Sequence, residues 1–337
     1  MFLLEVVTNI NRFVHVMLFK PKMSLYKYIQ PSYVHNSIKK SVIAAMNQLR
    51  PVVLFDVSLR DGIQSAKSTE KYTTEYKKQL LETIIQTKKP DSIEVGSFVS
   101  SRVLPIMADT EEVLKHGLEY AHQINKKQNY YVLVPNMKQL LRAAESPVIK
   151  QHINPLESAI HFSFITSVSE SFQQKNINKS LRETKQELKQ MTSWLEQNWP
   201  SAMKKLYVSC INECPIEGKI SHQTIVSEID EYNRLYPFDE ICLSDTVGKL
   251  EPSVLDPLLY ALKQIPFFSV NKLSLHLHGK DSERIRDLLT ISEIRGIHRY
   301  DVSMIEEGGC SVTMGKENTQ PNLTYETVDS VFEYKQI

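Results

Sequence analysis

The stretch Val52-Val53-Leu54-Phe55-Asp56-Val57-Ser58-Leu59-Arg60-Asp61 decides the fold. Its first six residues make a short, mostly apolar run of the kind carried by a strand buried on both faces. A cation and a carboxylate follow side by side, just past the end of that strand. Seven more runs of this character occur at 92–96, 130–134, 159–164, 206–211, 239–243, 273–277 and 299–304. With 52–57 they give eight predicted strands. Charged stretches with a helical period lie between them, among them 70–87, 110–126, 181–197, 222–235, 252–264 and 281–295. Strand-then-helix units repeated eight times over 51–337 predict an α/β chain folded as a (β/α)8 TIM barrel. A doubly wound sheet is the competing architecture. It calls for a Gly-rich phosphate loop after the first strand, and no such loop follows Val57.

A barrel of this kind places its chemistry at the C-terminal ends of the strands. The polar clusters of the sequence all fall there. Arg60-Asp61 follows the first strand, and Glu94 lies in the second with Ser97 after it. Asp245 follows the sixth, His276-Leu277-His278 ends the seventh, and Cys310 and Asn322 come after the eighth. Alternate residues of a strand share a face, so both imidazoles can converge on one point. Asp61, His276 and His278 supply one oxygen and two nitrogen ligands, and the amide oxygen of Asn322 can be a fourth. Mixed oxygen and nitrogen ligands with open positions suit Mg²⁺, Mn²⁺ or a similar ion. The plainer account of His-x-His is one surface histidine and one satisfied interior histidine. Asp61 at the same barrel mouth favours the metal. Arg60 can steady negative charge on a carbonyl oxygen, or form an interior ion pair with Glu94 or Asp245, and the two roles are compatible. Cys310, after Gly308-Gly309, is either a mobile thiol for proton transfer or an ordinary cysteine after a turn.

Composition sets outer bounds. The 337 residues are 42% hydrophobic and 23% charged, as in an ordinary globular protein. A net charge of +1 gives no global field to recruit nucleic acid or an acidic membrane. No apolar run approaches the roughly 20 residues of a membrane helix. Cys210, Cys214, Cys242 and Cys310 are too few for a disulfide framework in a chain this long, and a reducing, cytoplasmic setting is the simpler reading. The C-x3-C spacing of Cys210 and Cys214 has no second pair to complete a structural zinc site. Residues 1–50 form a separate basic extension, with seven Lys or Arg against the single acid Glu5. Such a leader reads either as a mitochondrial presequence, which would place the protein in the matrix, or as an extension packed on the barrel base. The sequons at Asn178 and Asn322 are discounted, since nothing else indicates secretion.

Several segments together resemble the 3-hydroxy-3-methylglutaryl-CoA lyase family of metal-dependent aldolase- and Claisen-type barrels. They are Arg60-Asp61-Gly62-Ile63-Gln64, Ile93-Glu94-Val95-Gly96-Ser97-Phe98-Val99-Ser100, Asn176-Ile177-Asn178-Lys179-Ser180, Tyr207-Val208-Ser209-Cys210, Cys214-Pro215-Ile216-Glu217-Gly218-Lys219-Ile220, Ser244-Asp245-Thr246-Val247-Gly248, His276-Leu277-His278 and Gly308-Gly309-Cys310. The resemblance spans about 50–330. Arg-Asp-Gly and His-x-His belong to the whole superfamily, whereas Ser-Phe-Val-Ser and Cys-Pro-x-Glu-Gly-Lys-Ile point to the lyase branch. The resemblance implies Asp61, His276, His278 and Asn322 as ligands of Mg²⁺ or Mn²⁺. It implies Arg60 as the residue that steadies the substrate carbonyl and enolate, and Cys310 as the proton-shuttling thiol. Glu94 and Asp245 become supporting acids, and His276, or a group near it, the base. The implied reaction splits an acyl-CoA, 3-hydroxy-3-methylglutaryl-CoA, into acetoacetate and acetyl-CoA, in a homodimer. Related chemistries are condensation of acetyl-CoA with a 2-oxoacid and cleavage of a 4-hydroxy-2-oxoacid, and a non-catalytic metal-binding barrel is a further reading.

The chain departs from the family in four places. The path from Cys310 to Asn322 is longer than usual and lacks the Pro-Tyr that follows the cysteine. Asn318 therefore competes with Asn322 as the amide ligand. Ile305-Glu306-Glu307 stands where a small, glycine-containing stretch is usual, and Gly279-Lys280 follows His278 where an aspartate is usual. The chain stops at Ile337, without the further C-terminal helices.

Overall fold

Eight parallel strands close into a barrel in the computed structural model, which describes residues 51–66, 70–154, 156–305 and 319–332. The basic leader 1–50, Cys310 and Asn318 lie outside the described residues. The barrel strands are β1 (Val53–Asp56), β2 (Ser92–Ser97), β3 (Asn129–Leu133), β4 (Ile160–Ser167), β5 (Lys204–Ser209), β8 (Glu240–Ser244), β9 (Leu273–His276) and β10 (Arg299–Val302). Two very short strands, β6 (Glu213–Cys214) and β7 (Gly218–Lys219), form an antiparallel hairpin inside the Cys-Pro-x-Glu-Gly-Lys segment. The ring closes where β1 pairs with β10, Val53 opposite Arg299 through Asp56 opposite Val302. Closure removes the doubly wound alternative, which would leave two open edges.

All eight predicted strands are present, but their interior face differs from the expectation of an apolar run. In β5, Leu206 and Val208 enter the main core beneath the helices. Tyr207 points the other way, into a small lumen cluster with Leu133 and Cys242. Lys205 alternates with Leu206 and is likewise fully buried. Glu94, Ser163 and Asp301 are buried polar residues of the same lumen. The barrel interior thus mixes buried polar and charged side chains with small apolar clusters, inside an apolar sleeve.

The predicted helices form, and among the described residues five more appear, the short Asp61–Gln64 and the longer Met137–Glu145, Pro147–His152, Glu170–Ile177 and Tyr325–Phe332. The helix Leu181–Asn198 starts with a capping box. Ser180 accepts from the Glu183 backbone N–H, while the Glu183 side chain returns to the Ser180 N–H. Among the described residues, no helix is long and apolar enough to cross a membrane.

Two local devices position the mouth. The pairing of β2 with β3 shifts register between Glu94 and Gly96. Gly96 has φ +154, and a Cβ there would lie 2.4 Å from Thr110 Oγ1. This bulge lets Glu94 face the lumen while the Ser97 N–H bonds Thr110 Oγ1 at 3.1 Å. At the closure seam, the Tyr325 hydroxyl donates to Asp56 Oδ2 at 2.6 Å, and the Ser58 N–H donates to Oδ1 at 2.9 Å. Burial lifts the Asp56 carboxyl to about 6, although these bonds pull it down.

Candidate active site

Arg60 and Asp61 stand where β1 turns into the short helix Asp61–Gln64. The N–H groups of Arg60 and Gly62 both bond the Val57 carbonyl, at 3.1 and 3.0 Å, which folds the chain tightly back over the barrel mouth. The Arg60 guanidinium is held on three sides. Its Nε donates to Glu94 Oε2 at 2.5 Å, its Nη1 donates to Asp61 Oδ1 at 2.8 Å, and it lies 4.8 Å above the centre of the Tyr207 ring. Glu94 also accepts from Tyr207 Oη at 3.0 Å and from Ser163 Oγ. Of the two ion-pair partners the sequence left open for Arg60, Glu94 and Asp245, the structure pairs it with Glu94.

Asp245 has a different place. Its carboxylate accepts from the backbone N–H groups of Lys249 and Leu250 at 3.1 and 3.0 Å, and Arg284 Nη1 lies 3.5 Å away. Asp245 therefore shapes the turn after β8 and is not an ion-pair partner of Arg60. Burial raises its carboxyl to about 6 against these favourable contacts. Arg284 in turn donates to the His278 carbonyl at 2.8 Å, so Asp245 supports the histidine strand indirectly. Gly248 (φ +69) completes the turn, where a Cβ would lie 2.8 Å from Gln320 Cγ.

Asp61, His276 and His278 form the one cluster among the described residues whose side chains could together hold a metal ion. All three are buried. The two Nε2 atoms are 3.0 Å apart, and Asp61 Oδ2 is 3.6 Å from His276 Nε2 and 4.0 Å from His278 Nε2. Both Nδ1 atoms already face acceptors: Asp301 Oδ2 at 3.0 Å for His276 and the Gln320 carbonyl at 3.2 Å for His278. Bonds of about 2.0–2.1 Å to a small divalent ion put neighbouring octahedral ligands about 3.0 Å apart. The imidazole pair has that spacing, and Asp61 needs to close by about 0.6 Å on His276 and about 1 Å on His278. Orienting acceptors behind both rings are the usual partners of metal-binding histidines. The residues therefore fit a small divalent cation.

Asn322 is brought alongside this cluster. Its backbone forms an antiparallel bridge with His278, the Gly279 N–H bonds the Pro321 carbonyl at 3.0 Å, and the Leu323 N–H bonds the Leu277 carbonyl at 3.2 Å. Asn322 itself is buried. A cavity of about 160 Å³ opens over the site. Arg60, Asp61, His276 and His278 line its charged side, and Val103, Leu104 and Ile165 its apolar side.

The charges are strongly coupled. Burial opposes the ionised form of Asp61, yet Arg60 and the histidines hold its carboxyl well below the usual range. Burial also opposes protonation of His276, but Asp301 and Asp61 outweigh it and raise the ring to about 9. Burial and the neighbouring His276 charge lower His278 to about 4. A pH dependence of metal binding follows. Without metal, His276 keeps a proton below about 9, and an entering cation must displace it. Below that value each pH unit changes such a competition about tenfold, so divalent-metal affinity should rise about fiftyfold from pH 7 to pH 9 and level off just above it. His278 is already neutral in this range, so about one proton should leave per ion bound. Calorimetry in buffers of different ionisation enthalpy measures this. Release of two protons, or none, would contradict the assignment.

Four contacting residues were not singled out from the sequence. Tyr207 stacks on Arg60, Gln64 donates to Asp61, and Lys205 and Asp301 lie beneath His276. The available signal was a charged residue at an inward position of a predicted strand, as in Arg299-Tyr300-Asp301-Val302.

The HMGL-like family model matches residues 51–285. The chain is 33% identical over 268 residues to rat 3-hydroxy-3-methylglutaryl-CoA lyase, cytoplasmic, covering 78% of this chain and 70% of that protein. It is 31% identical over 269 residues to bovine hydroxymethylglutaryl-CoA lyase, mitochondrial, covering 79% and 74%. The crystal structure of the HMG-CoA lyase from Brucella melitensis superposes with a TM-score of 0.67 at 27% identity, over 84% of this chain and 90% of that one. With the closed barrel and the cluster at its mouth, these matches show that the chain belongs to the HMGL-like family and is a carbon–carbon lyase.

Proposed function

We propose that this lyase cleaves 3-hydroxy-3-methylglutaryl-CoA, or a closely similar acyl-CoA, to acetoacetate and acetyl-CoA with Mg²⁺ or Mn²⁺. The observation that carries the reading is Arg60 packed directly against Asp61, whose carboxylate faces His276 and His278 at the same cavity. Asp61, His276, His278 and Asn322 would hold the cation. Once bound, it supplies a positive charge beside the tertiary hydroxyl and a carboxylate oxygen of the substrate, which makes the hydroxyl more acidic.

The chain's own groups account for the rest. The hydroxyl proton passes to a base, the bond between C2 and C3 breaks, and its electron pair becomes the enolate of acetyl-CoA. C3 becomes the ketone of acetoacetate. Arg60 is the fixed cation for the enolate oxygen. Two of its donors are committed to Glu94 and Asp61, and the rest of its five-donor fork can face the cavity. Cys310 is the proposed donor of the proton that converts enolate to acetyl-CoA. His276 has Nδ1 engaged by Asp301, so ligand and base roles both draw on Nε2, which serves one of them at a time.

Incubation of the purified chain with Mn²⁺ and 3-hydroxy-3-methylglutaryl-CoA should release equal amounts of acetyl-CoA and acetoacetate. A panel with 4-hydroxy-2-oxoacids, and with acetyl-CoA plus 2-oxoacids, runs alongside. Turnover of one of those substrates instead would move the chain to a neighbouring chemistry. No turnover despite measured metal binding would leave a metal-binding barrel without lyase activity on these compounds.

A further inference from the structure

We infer that Asp301, pinned by the buried cation of Lys205, is the positioning residue that aims His276 Nε2 at Asp61 and His278. The inference rests on the reading of Asp61, His276 and His278 as a metal site and goes one layer beneath it. Asp301 sits on β10, beside β9, and its side chain has no exposure. Its two oxygens have separate duties. Oδ1 accepts from Lys205 Nζ at 2.5 Å, and Oδ2 accepts from His276 Nδ1 at 3.0 Å.

Lys205 is equally buried and held from several sides. Its ammonium forms an ion pair with Glu240 Oε1 at 2.7 Å and lies 3.5 Å from the centre of the Phe55 ring. Burying such charges is expensive, and an interior ion pair is often no more stabilising than apolar residues of the same volume. Stability alone therefore gives no reason for a lysine and an aspartate in the lumen. Their geometry gives one. A ring that donates through Nδ1 to a fixed carboxylate is held in both tautomer and rotation, and Nε2 is left facing the cluster. His278 is aimed differently, by the neutral carbonyl of Gln320. The anchor of His276 belongs to the barrel wall, whereas that of His278 belongs to the segment before Asn322.

The arrangement makes a specific demand, because Lys205 Nζ and His276 Nδ1 both aim a donor at residue 301, one at each oxygen. Aspartate offers two acceptor oxygens, and asparagine offers one oxygen and an NH₂ group. Asp301→Asn should therefore leave one donor facing another and lower Mn²⁺ affinity about 10–100-fold, the usual effect of losing an orienting partner. Adding Lys205→Met removes one of the competing donors. The amide oxygen can then accept from His276, and Glu240 keeps Arg299 as a partner at 3.2 Å. The double variant should regain Mn²⁺ affinity to within about tenfold of the parent. A merely structural ion pair predicts no such recovery.

Binding of Mn²⁺ alone is followed by the electron paramagnetic resonance of free Mn²⁺, with circular dichroism to check folding. An Asp301→Asn variant that binds within twofold of the parent overturns the inference, as does a double variant no better than the single one. If the single variant does not fold, the double variant is read alone, and a loss beyond a hundredfold overturns the inference. A parent protein that binds no Mn²⁺ refutes the metal-site reading instead.

Discussion

Arg60→Lys should lower kcat by about 10²–10³-fold while the protein remains folded, because removing one preorganised donor to a developing oxyanion has that effect. Lysine keeps the charge but loses the planar fork. The fork is what allows one residue to hold Glu94 through Nε and Asp61 through Nη1 while its Cζ stays 4.8 Å above the centre of the Tyr207 ring. Arg60→Met should be worse in a second way. Glu94 is fully buried, and breaking a buried pair by removing one partner costs about 3–5 kcal/mol. Tyr207 and Ser163 still donate to Glu94, which favours the lower end of that range. The two variants thus separate catalysis from stability: both lose turnover, and the methionine variant also unfolds at a lower temperature. Steady-state kinetics at saturating Mn²⁺ with a thermal melt make the comparison. An Arg60→Lys enzyme within tenfold of the parent kcat would remove Arg60 from the proposed chemistry.

His278→Ala carries the second large effect. It deletes one of the three clustered ligand groups and leaves Asp61 and His276, with Asn322 beside them, to hold a cation. The loss of Mn²⁺ affinity should exceed the about 10–100-fold that follows removal of an orienting partner, and metal-dependent turnover should disappear. The fold should survive, since His278 lies at the barrel mouth and the core around β9 is made by Leu273, Leu275 and Leu277. Calorimetric titration with Mn²⁺, followed by the turnover assay, tests both halves. Turnover that survives the substitution would mean that the site has been placed wrongly.

The fold was readable because its outward-facing strand residues are apolar and its connections carry helical periodicity. Leu273, Leu275 and Leu277 announce a strand whatever lies between them. The meeting of Asp61, His276 and His278 was readable for a related reason. Two histidines at the spacing of alternate strand residues, and a carboxylate just after another strand, need only the barrel to bring them together. The layer beneath was not readable in the same way. A lysine at 205 beside another at 204 looks like a solvated strand start, and the predicted strand accordingly began at 206. Only closure of the barrel turns that position inward and sets it against Asp301 from the far end of the chain. The partners of Asp245 were also hidden from the sequence. It lies after the expected strand, but the tight turn at Gly248 directs its carboxylate to backbone N–H groups and Arg284. Turn geometry of that kind depends on a few dihedral angles that residue types alone leave open.

The hydrogen bond from Tyr325 to Asp56 joins residues 269 positions apart, across the seam where β1 meets β10. A ribosome adding about 5–20 residues per second takes roughly 15–50 s to cover that distance. For all of that interval β1 has left the tunnel with one edge unpaired, and an exposed strand edge is a template for pairing with other chains. The Arg60-Asp61 pair waits with it, since the histidines that meet Asp61 are themselves made late. The site is thus assembled only after the chain has been made through Tyr325, and substitutions at Tyr325 should reduce the yield of native protein in cells before they change the activity of what does fold.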